Sequence, residues 1–239
     1  MIVIPPGAGR SPTPGGVALA LSLLLASAAA GFWFYRLHHH ASMYVAPGAQ
    51  RAVPEPIAAP AAGRKTPERV PDLALPDTRG RQHSLSEWTD RPLMVNFWAT
   101  WCEPCQREIP LLKALRREHA GNGLEVVGIA IDSADSVSKY ATDHAMGYPV
   151  LVGERGGLEA AAAFGMDTVL PFTVFADAQG RIVALKIGEL HRDEAELILG
   201  LVGSLDQNKV TLEAARRQIS ESLPRLGNAR AGAGDAAAR

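Results

Sequence analysis

Apolar runs alternate with polar, helix-compatible segments between residues 71 and 205. Two of the apolar runs, 93–98 (LMVNFW) and 124–131 (LEVVGIAI), are nearly continuous, which is typical of strands buried on both faces of a sheet. In chain order the pattern predicts a strand at 93–98, a helix from Cys102 to about residue 120, a strand at 124–131, a helix at 133–145, a strand at 148–152, a helix at 158–164, strands at 172–176 and 181–187, and a helix at 192–202.

This order of elements indicates the fold class. Strands and helices alternate first, and the turn Asp177-Ala-Gln-Gly180 then predicts a hairpin between the last two strands. Alternating elements build a parallel sheet, whereas a hairpin adds antiparallel strands. We therefore expect an α/β domain over residues 71–205, with a central mixed sheet flanked by helices on both faces.

A segment near the N-terminus is apolar enough to enter a membrane. Residues 17–35 carry no charged side chain, and their length is close to the about 20 residues that cross a bilayer as a helix. The aromatic cluster at 32–35 is typical of a membrane interface. We expect a transmembrane anchor at 17–35, preceded by a cytoplasmic segment at 1–16. A cleaved signal peptide, with its apolar region at 17–25 and a small-residue cleavage site at 26–28, is the open alternative.

The segments on either side of the predicted domain show little apolar periodicity. Residues 36–70 are rich in proline and alanine and predict a semi-extended tether. The three adjacent histidines at 38–40 have no metal-ligand spacing, so we interpret them as a solvated run. Residues 206–239 are interpreted as a C-terminal tail, with a helix predicted at 211–223 and disorder expected from residue 228.

Composition narrows the possible functions. With 47% hydrophobic and 21% charged residues, the composition is that of an ordinary globular protein. A formal net charge of −1 favours neither nucleic acid nor another strongly charged partner. Only two cysteines are present, Cys102 and Cys105, which excludes a small secreted scaffold stapled by several disulfides.

The two cysteines stand at the predicted start of a helix. They are one helical turn apart, so their sulfurs can form a disulfide. The unpaired N–H groups and the positive end of the helix dipole favour a thiolate on the first cysteine. Pro104 fits the first turn and rigidifies the pair, while Pro110 is expected to kink the helix. We predict that Cys102 attacks a target disulfide and that Cys105 resolves the mixed disulfide.

Three other interpretations of the pair fit the sequence less well. A structural disulfide would close a very short loop and gain little chain entropy. A zinc site needs four ligands, and the sequence has neither a second cysteine pair nor a histidine pair with suitable spacing. An inert buried pair conflicts with the Pro and Glu between the cysteines. The pattern favours redox exchange that needs no cofactor and no metal.

The segment VNFWATWCEPCQREIP resembles the active-site segment of the thioredoxin-like TlpA/ResA family, membrane-tethered bacterial thiol-disulfide oxidoreductases that include reductases of cytochrome c maturation. The resemblance extends over residues 71–202, from a short hairpin (PDLALPDTRGRQHSLSEW) to the hairpin FTVFADAQGRIV. It implies a thioredoxin-like fold and a single-pass protein of the bacterial inner membrane, with its catalytic domain in the periplasm. The implied partners are a disulfide-containing exported protein and an upstream membrane electron donor.

The resemblance also assigns residues. The two cysteines match the catalytic pair, and Pro171 matches a proline that is held in cis beside the disulfide. Leu170 would then offer backbone hydrogen bonds to an extended target. Trp101 and Pro104 are assigned to the same substrate-binding surface. By sequence pattern alone, Pro171 fits the start of a strand equally well.

Polar residues around the pair set its expected redox behaviour. Asn96 stands where thioredoxins place a buried acid, whereas Glu108 matches a glutamate of the ResA-type branch and is assigned a catalytic role. A solvated helix carboxylate is the alternative for Glu108. Carboxylates at Glu103 and Glu108 oppose thiolate formation, which predicts a potential nearer about −270 mV than about −120 mV. Phe172 replaces the family's threonine after the cis proline, and we expect its ring beside the substrate groove.

Two rival functions belong to other classes. A copper-delivery protein would bind metal through Cys102, Cys105 and a distant imidazole such as His191, although such proteins usually space their cysteines more widely. A peroxidase on the same fold would need a cysteine in the loop before the helix, and the sequence has none there. Copper delivery is kept as the alternative function.

Overall fold

The computed structural model describes residues 65–167 and 169–237, with side chains up to residue 231. Seven strands and five helices follow one another in these residues. The strands are β1 Ala74–Pro76, β2 Gln82–Ser84, β3 Leu93–Trp98, β4 Glu125–Ala130, β5 Val150–Val152, β6 Phe172–Ala176 and β7 Ile182–Ile187. The helices are α1 Glu103–Glu118, α2 Ala134–Asp143, α3 Glu154–Ala163, α4 Arg192–Asp206 and α5 Leu212–Ala237.

Five of the strands form one mixed sheet in the order β5-β4-β3-β6-β7. The pairs β3–β4 and β4–β5 are parallel, while β6 runs antiparallel to both β3 and β7. The central strand β3 is buried along its whole length, as its continuous apolar run predicted. Strands β1 and β2 form a separate two-stranded antiparallel hairpin, which agrees with the resemblance over that segment. The predicted mixed α/β sheet is confirmed.

Each face of the sheet carries its own apolar cluster. Alternate residues of β3 point to opposite faces, so Met94 and Trp98 join one cluster while Val95 and Phe97 join the other. The first cluster contains both cysteines and packs against α1, α2, α4 and α5. The second packs against α3 and the β1–β2 hairpin. The cysteine pair therefore lies on the face that most of the helices cover.

Helix α3 begins earlier than the sequence predicted. The expected range was 158–164, and it is preceded by two adjacent glycines, Gly156 and Gly157, which weaken helix propensity. In the structure both lie in the first turns of α3, where the helix runs close to the end of β4. A Cβ on Gly157 would stand 3.0 Å from the side chain of Ile131. Close packing against the sheet, rather than propensity, explains these glycines.

The folded region also extends beyond both predicted ends. Arg69, assigned to the tether, already forms a β-bridge with Arg181, the residue directly before β7. Helix α5 runs to Ala237, where disorder had been expected from residue 228. That expectation is corrected: Ala215 and Ile219 are buried in the core, and Arg230 pairs with the acidic start of α4. Buried apolar side chains and ion pairs therefore pack α5 against the domain, although the composition of this helix gave no sign of packing.

The predicted membrane anchor at 17–35 and most of the tether lie outside the described residues. Within residues 65–167 and 169–237, no helix has the length and apolar character needed to cross a membrane.

Candidate active site

The two cysteines form a disulfide at the start of α1. Cys102 is the N-cap residue in extended conformation, and its Sγ accepts a 3.3 Å hydrogen bond from the backbone N–H of Cys105. The Cα atoms are 5.3 Å apart, within the usual disulfide range. Pro104 occupies the first turn, where helices tolerate proline, and α1 continues without a break through Pro110. The predicted pairing at a helix N-terminus is confirmed.

The two sulfurs differ in accessibility. Cys102 is 6% exposed, whereas Cys105 has no exposed surface. Trp101, directly before the pair, is 69% exposed, which is unusual for a large aromatic side chain. An incoming disulfide can therefore reach Cys102 from the solvent side, while Cys105 lies behind it.

Glu108 lies one turn after Cys105 on the same helix and is 1% exposed. Its Oε1 accepts a 2.7 Å hydrogen bond from Asn96 Nδ2, and its Oε2 accepts another of 2.7 Å from the backbone N–H of Leu190. Asn96 also donates to Thr173 Oγ1 at 3.0 Å. The alternative of a solvated carboxylate is therefore wrong. Helix α1, strands β3 and β6 and the β7–α4 loop all contribute to one buried polar network.

The environment of Glu108 changes its acidity. Burial raises the pKa of its carboxyl to about 7, although the hydrogen bonds from Leu190 and Asn96 act in the opposite direction. The nearby Glu189 raises this pKa further, and Lys186 lowers it. A carboxyl with a pKa near 7 can accept or release a proton at neutral pH. This property suits a group that serves a cysteine during thiol exchange.

Lys186 was missed by the sequence analysis. Its Nζ donates to the backbone carbonyls of Ile187 and Glu189 at 2.9 and 3.2 Å and lies 3.5 Å from the Glu194 carboxylate. The sequence signal was a charged residue inside the otherwise apolar strand β7. The backbone N–H of Leu190 left no such signal, because any residue supplies that donor.

The peptide bond between Leu170 and Pro171 is cis, as the family resemblance implied. Leu170 is partly buried and packs against the clusters on both faces of the sheet. The carbonyl of Pro171 accepts a 2.8 Å hydrogen bond from Gly188 N–H. The loop between β7 and α4 therefore donates hydrogen bonds both to Glu108 and to Pro171. The role of Leu170 and Pro171 in substrate binding stays a prediction.

The expectation for Phe172 is wrong. Its ring has no exposed surface and stacks on Phe97, with ring centroids 4.2 Å apart. Both rings belong to the apolar cluster on the face opposite the cysteines. Strand alternation explains the error: the side chain that follows the cis proline points away from α1, and Thr173 is the residue that points toward Glu108.

An ion-pair chain crosses the surface beside the disulfide. Arg107 contacts Glu103 at 2.9 Å and Glu189 at 2.7 Å. The Glu103 side chain is 85% exposed, so solvent and Arg107 weaken its effect on the thiols. Of the two carboxylates expected to oppose thiolate formation, the buried Glu108 therefore has the stronger influence.

His191, the imidazole considered for copper, caps the start of α4 and is half-buried. Among the described residues, no group of three or more His, Cys, Asp and Glu side chains could hold a metal ion. No observation in this part of the chain favours copper delivery over redox exchange.

Comparison with known families supports the redox interpretation. Residues 67–185 match the model of the AhpC/TSA family. The chain is 30% identical over 138 residues to a thioredoxin-like protein, YneN, of Bacillus subtilis, covering 56% of this chain and 78% of that protein. It is 28% identical over 128 residues to the thiol-disulfide oxidoreductase ResA of Geobacillus kaustophilus, covering 53% and 72%.

Solved structures give the same fold. A thiol:disulfide interchange protein of the thioredoxin family from Chlorobium tepidum superposes with a TM-score of 0.51 at 25% identity, covering 59% of this chain and 99% of that chain. A secreted thiol-disulfide isomerase from Corynebacterium glutamicum superposes with a TM-score of 0.50 at 26% identity, covering 58% and 90%. The thioredoxin-like fold expected from the active-site segment is therefore confirmed.

Proposed function

The chain belongs to the thioredoxin-like thiol-disulfide oxidoreductases of the AhpC/TSA family, and we propose that it is a membrane-anchored reductase of disulfides in exported proteins. As a member, it is a protein thiol-disulfide oxidoreductase. The observation that carries the reductase proposal is the asymmetry of the site: Cys102 retains a small exposed area, Cys105 has none, and Glu108 is buried one turn further on. Each position suits a different step of one exchange reaction.

The first step uses the helix N-terminus. The Cys102 thiolate attacks one sulfur of the target disulfide, forms a mixed disulfide and releases the other target sulfur as a thiolate, which takes a proton from solvent. Unpaired N–H groups at the start of α1 stabilise the attacking thiolate. Cys102 keeps 6% of its surface exposed, whereas Cys105 keeps none, so the target sulfur approaches Cys102.

The second step uses Glu108. Cys105 must lose its proton before it attacks Cys102 and expels the reduced target. Glu108 lies on the same buried helix face, and its pKa of about 7 lets the carboxylate accept that proton at neutral pH. The second target sulfur leaves as a thiolate and also takes a proton from solvent. The reaction then leaves a disulfide between Cys102 and Cys105, a proton on Glu108 and two thiols on the target, so two electrons pass from the enzyme to the target.

The target would bind along the surface formed by Trp101, Pro104, Leu170 and Pro171. Trp101 offers a large exposed apolar area for docking. The backbone of Leu170, a partly buried residue, would donate and accept hydrogen bonds with an extended segment of the target. Val169, which precedes Leu170 and is 48% exposed, would extend the same apolar surface.

The proposed location is the periplasmic side of a bacterial inner membrane. Support comes from the apolar segment 17–35, from the proline-rich segment 36–70 after it, and from the presence of only two cysteines, which avoids wrong pairings in an oxidising compartment. Continued turnover then requires an upstream membrane electron donor that reduces the Cys102–Cys105 disulfide. Exported proteins such as apocytochrome c are candidate targets.

A reductase of this type needs a low potential. The negative charge of Glu108 below the pair disfavours the thiolate and hence the reduced form. We expect a midpoint near about −270 mV at pH 7, measured by equilibration with glutathione or dithiothreitol buffers. A midpoint near about −120 mV would show an oxidant instead.

Trapping tests the proposal directly. In the full chain carrying Cys105→Ala, the mixed disulfide on Cys102 cannot be resolved, so targets should accumulate and be identifiable by mass spectrometry after diagonal gels. Cys102→Ser in the same background serves as the control and should trap nothing. Recovery of particular exported proteins supports the reductase. If Cys102→Ser protein still reduces insulin with dithiothreitol as donor, the assigned roles are wrong.

A further inference from the structure

Lys186 lies in strand β7 and turns toward the redox site. It pairs with Thr173 of β6, and directly opposed residues of two paired strands point to the same face of a sheet. Thr173 accepts a hydrogen bond from Asn96, whose amide also donates to Glu108. The Lys186 side chain, 17% exposed, therefore lies on the same face as this buried polar network.

The Lys186 ammonium has three N–H donors, and three acceptors surround it. It donates to the backbone carbonyls of Ile187 and Glu189 at 2.9 and 3.2 Å. The Glu194 carboxylate lies 3.5 Å away. Both carbonyls belong to the 187–190 loop, which runs from the last residue of β7 toward α4. Hydrogen bonds from a charged donor are stronger than those between neutral groups, so the ammonium fixes both carbonyls.

The same loop donates two hydrogen bonds to the redox site. Gly188 N–H donates to the carbonyl of Pro171 at 2.8 Å. Leu190 N–H donates to Glu108 Oε2 at 2.7 Å. Each of these N–H groups directly follows one of the two carbonyls that Lys186 binds, so each carbonyl and the next N–H form one planar peptide unit. Because the two ends of a trans unit point in opposite directions, fixing the carbonyl also fixes where the N–H points.

We propose that Lys186 is a positioning residue for thiol-disulfide exchange. It binds the carbonyl ends of the two peptide units and so directs their N–H ends at the cis proline and at Glu108. A cation at the carbonyl also polarises the unit and makes its N–H a better donor. The effect on the deprotonation of Cys105 rests on the proposed role of Glu108, whereas the orientation of the loop does not.

Several groups besides Lys186 influence the charge of Glu108. The positive charge of Lys186 lowers the pKa of this carboxyl, and Glu189 raises it. Glu189 is itself paired with Arg107 at 2.7 Å. Burial and the nearby Glu108 charge raise the pKa of the Tyr148 hydroxyl, so it stays neutral. A test of Lys186 must leave these neighbours unchanged.

The variant that tests this role is Lys186→Met, which removes the charge and the donors but keeps an unbranched side chain of similar length. Glu194 retains a cationic partner in this variant, because Arg230 of α5 contacts it at 2.5 Å. Lys113→Met is the matched control. The Lys113 ammonium also donates to a backbone carbonyl, that of His144 at 2.8 Å, but this carbonyl lies at the end of α2 and not in the loop after β7.

The first measurement is amide hydrogen exchange of the oxidised full chain, with the amides of β3 as the reference for global opening. In Lys186→Met, exchange at Gly188 and Leu190 should become about tenfold faster than in wild type, because neither peptide unit is fixed at its carbonyl end. In Lys113→Met it should not change. Equal exchange in the two variants would overturn the proposal.

The wild-type protein gives a second measurement, which does not depend on the folding of a variant. NMR of the lysine ammonium groups should show slower proton exchange for Lys186 than for Lys139, whose side chain is 78% exposed. Equally fast exchange at both would mean that the Lys186 ammonium does not bind the carbonyls, and the proposal would be wrong.

A kinetic measurement tests the effect on the reaction. When the reduced protein is mixed with oxidised glutathione in a stopped-flow instrument, attack by Cys102 depends on the glutathione concentration, and resolution by Cys105 does not. The resolution rate of wild type should rise with pH, with a midpoint near 7. In Lys186→Met this midpoint should move to higher pH, and the rate at pH 7 should fall about two- to fivefold, because the lost charge and the weaker Leu190 bond both favour the protonated carboxyl of Glu108.

Glu108→Gln separates this proposal from the proposed function. If Glu108→Gln removes the pH dependence of resolution, an unchanged midpoint in Lys186→Met overturns the positioning role. If the Glu108→Gln profile equals that of wild type, Glu108 does not accept the proton from Cys105, and its proposed function fails. Amide exchange at Gly188 and Leu190 then still decides whether Lys186 orients the loop.

Discussion

At the scale of single residues, the Glu108 carboxyl shows how surroundings control chemistry. Burial disfavours its charged form, while the donors Asn96 and Leu190 favour it, and the balance places the pKa at about 7. In an unfolded chain this carboxyl would have its ordinary pKa of about 4.5. The difference links the acidity of one side chain to the stability of the whole domain.

This difference in the pKa of Glu108 makes the free energy of unfolding depend on pH, in a direction that can be stated. Because the folded pKa is raised, the folded state retains its proton up to about pH 7 while the unfolded state loses it near pH 4.5. Stability should therefore fall as pH rises from about 4.5 through 7, by about 3 kcal/mol at most. Urea titrations of the oxidised protein at several pH values measure this slope. In Glu108→Gln the slope should become smaller, because the Glu108 contribution is lost while Asp206 and His83, whose pKa values are also raised, still contribute. The lost bond to Leu190 lowers stability at every pH.

The matched control is Glu103→Gln, which changes an exposed carboxylate on the same helix. It should retain the wild-type slope between pH 4.5 and 7. An equal slope in wild type and Glu108→Gln would mean that Glu108 titrates normally in the folded protein.

At the scale of secondary-structure elements, the start of α1 decides which sulfur reacts. Cys102 is the N-cap residue, where free N–H groups stabilise a thiolate, and Cys105 is one turn inside the helix and fully buried. We expect iodoacetamide to modify Cys102 at least ten times faster than Cys105 in the reduced protein at pH 7. Mass spectrometry of timed samples gives both rates, and Cys102→Ala supplies the reference for Cys105 alone. Equal rates would contradict the assignment of Cys102 as the nucleophile.

Packing of helix α3 explains its glycines. A Cβ on Gly157 would meet Ile131 Cγ1 at 3.0 Å and the carbonyl oxygen of Ala130 at 3.3 Å, so Gly157→Ala should destabilise the domain by about 1–3 kcal/mol despite the better helix propensity of alanine. In α4, a Cβ on Gly200 has nothing within 4 Å, and Gly200→Ala should stabilise by about 0.5–1 kcal/mol. Thermal and urea unfolding test both. A stabilised Gly157→Ala protein would show that the contact relaxes easily.

At the scale of the whole molecule, α5 ties the two ends of the described region together. Arg216 donates to the carbonyl of Ile182 in β7 at 2.5 Å and pairs with Glu68 at 2.9 Å. Glu68 in turn accepts, through its backbone, a hydrogen bond from Ile182 N–H. This brace, formed by the contacts among Arg216, Ile182 and Glu68, explains why the end of the predicted tether (36–70) and the start of the predicted tail (206–239) belong to the fold.

Removing the brace should be measurable. Arg216→Ala leaves the Ile182 carbonyl without its charged donor, and we expect a loss of about 1–2 kcal/mol in unfolding free energy. Amide exchange at Ile182 should also increase. The neighbouring Arg217 is exposed on the same helix, and Arg217→Ala should behave like wild type. If both variants unfold alike, α5 does not stabilise the domain through Arg216.

The sequence alone determined the central sheet, the helix that carries the cysteines and the redox chemistry. These features depend on local signals: continuous apolar runs for β3 and β4, and two cysteines one turn apart for the disulfide. These patterns predict the structure correctly because hydrophobic periodicity and helix geometry depend only on residues that are close in the chain. The cis bond at Pro171 was reached only through family resemblance, since the residue pattern alone also fitted a strand start.

Only the tertiary structure decided the surroundings of the site. Glu108 receives its partners from residues far along the chain, Asn96 and Leu190, and the second of these is a backbone group that any residue could supply. Phe172 was misplaced because which face of a strand a side chain joins depends on the register of the sheet. Helix α5 packs through long-range contacts that composition does not encode. Local chemistry can be read from neighbouring residues, whereas burial and pKa depend on what the fold brings together.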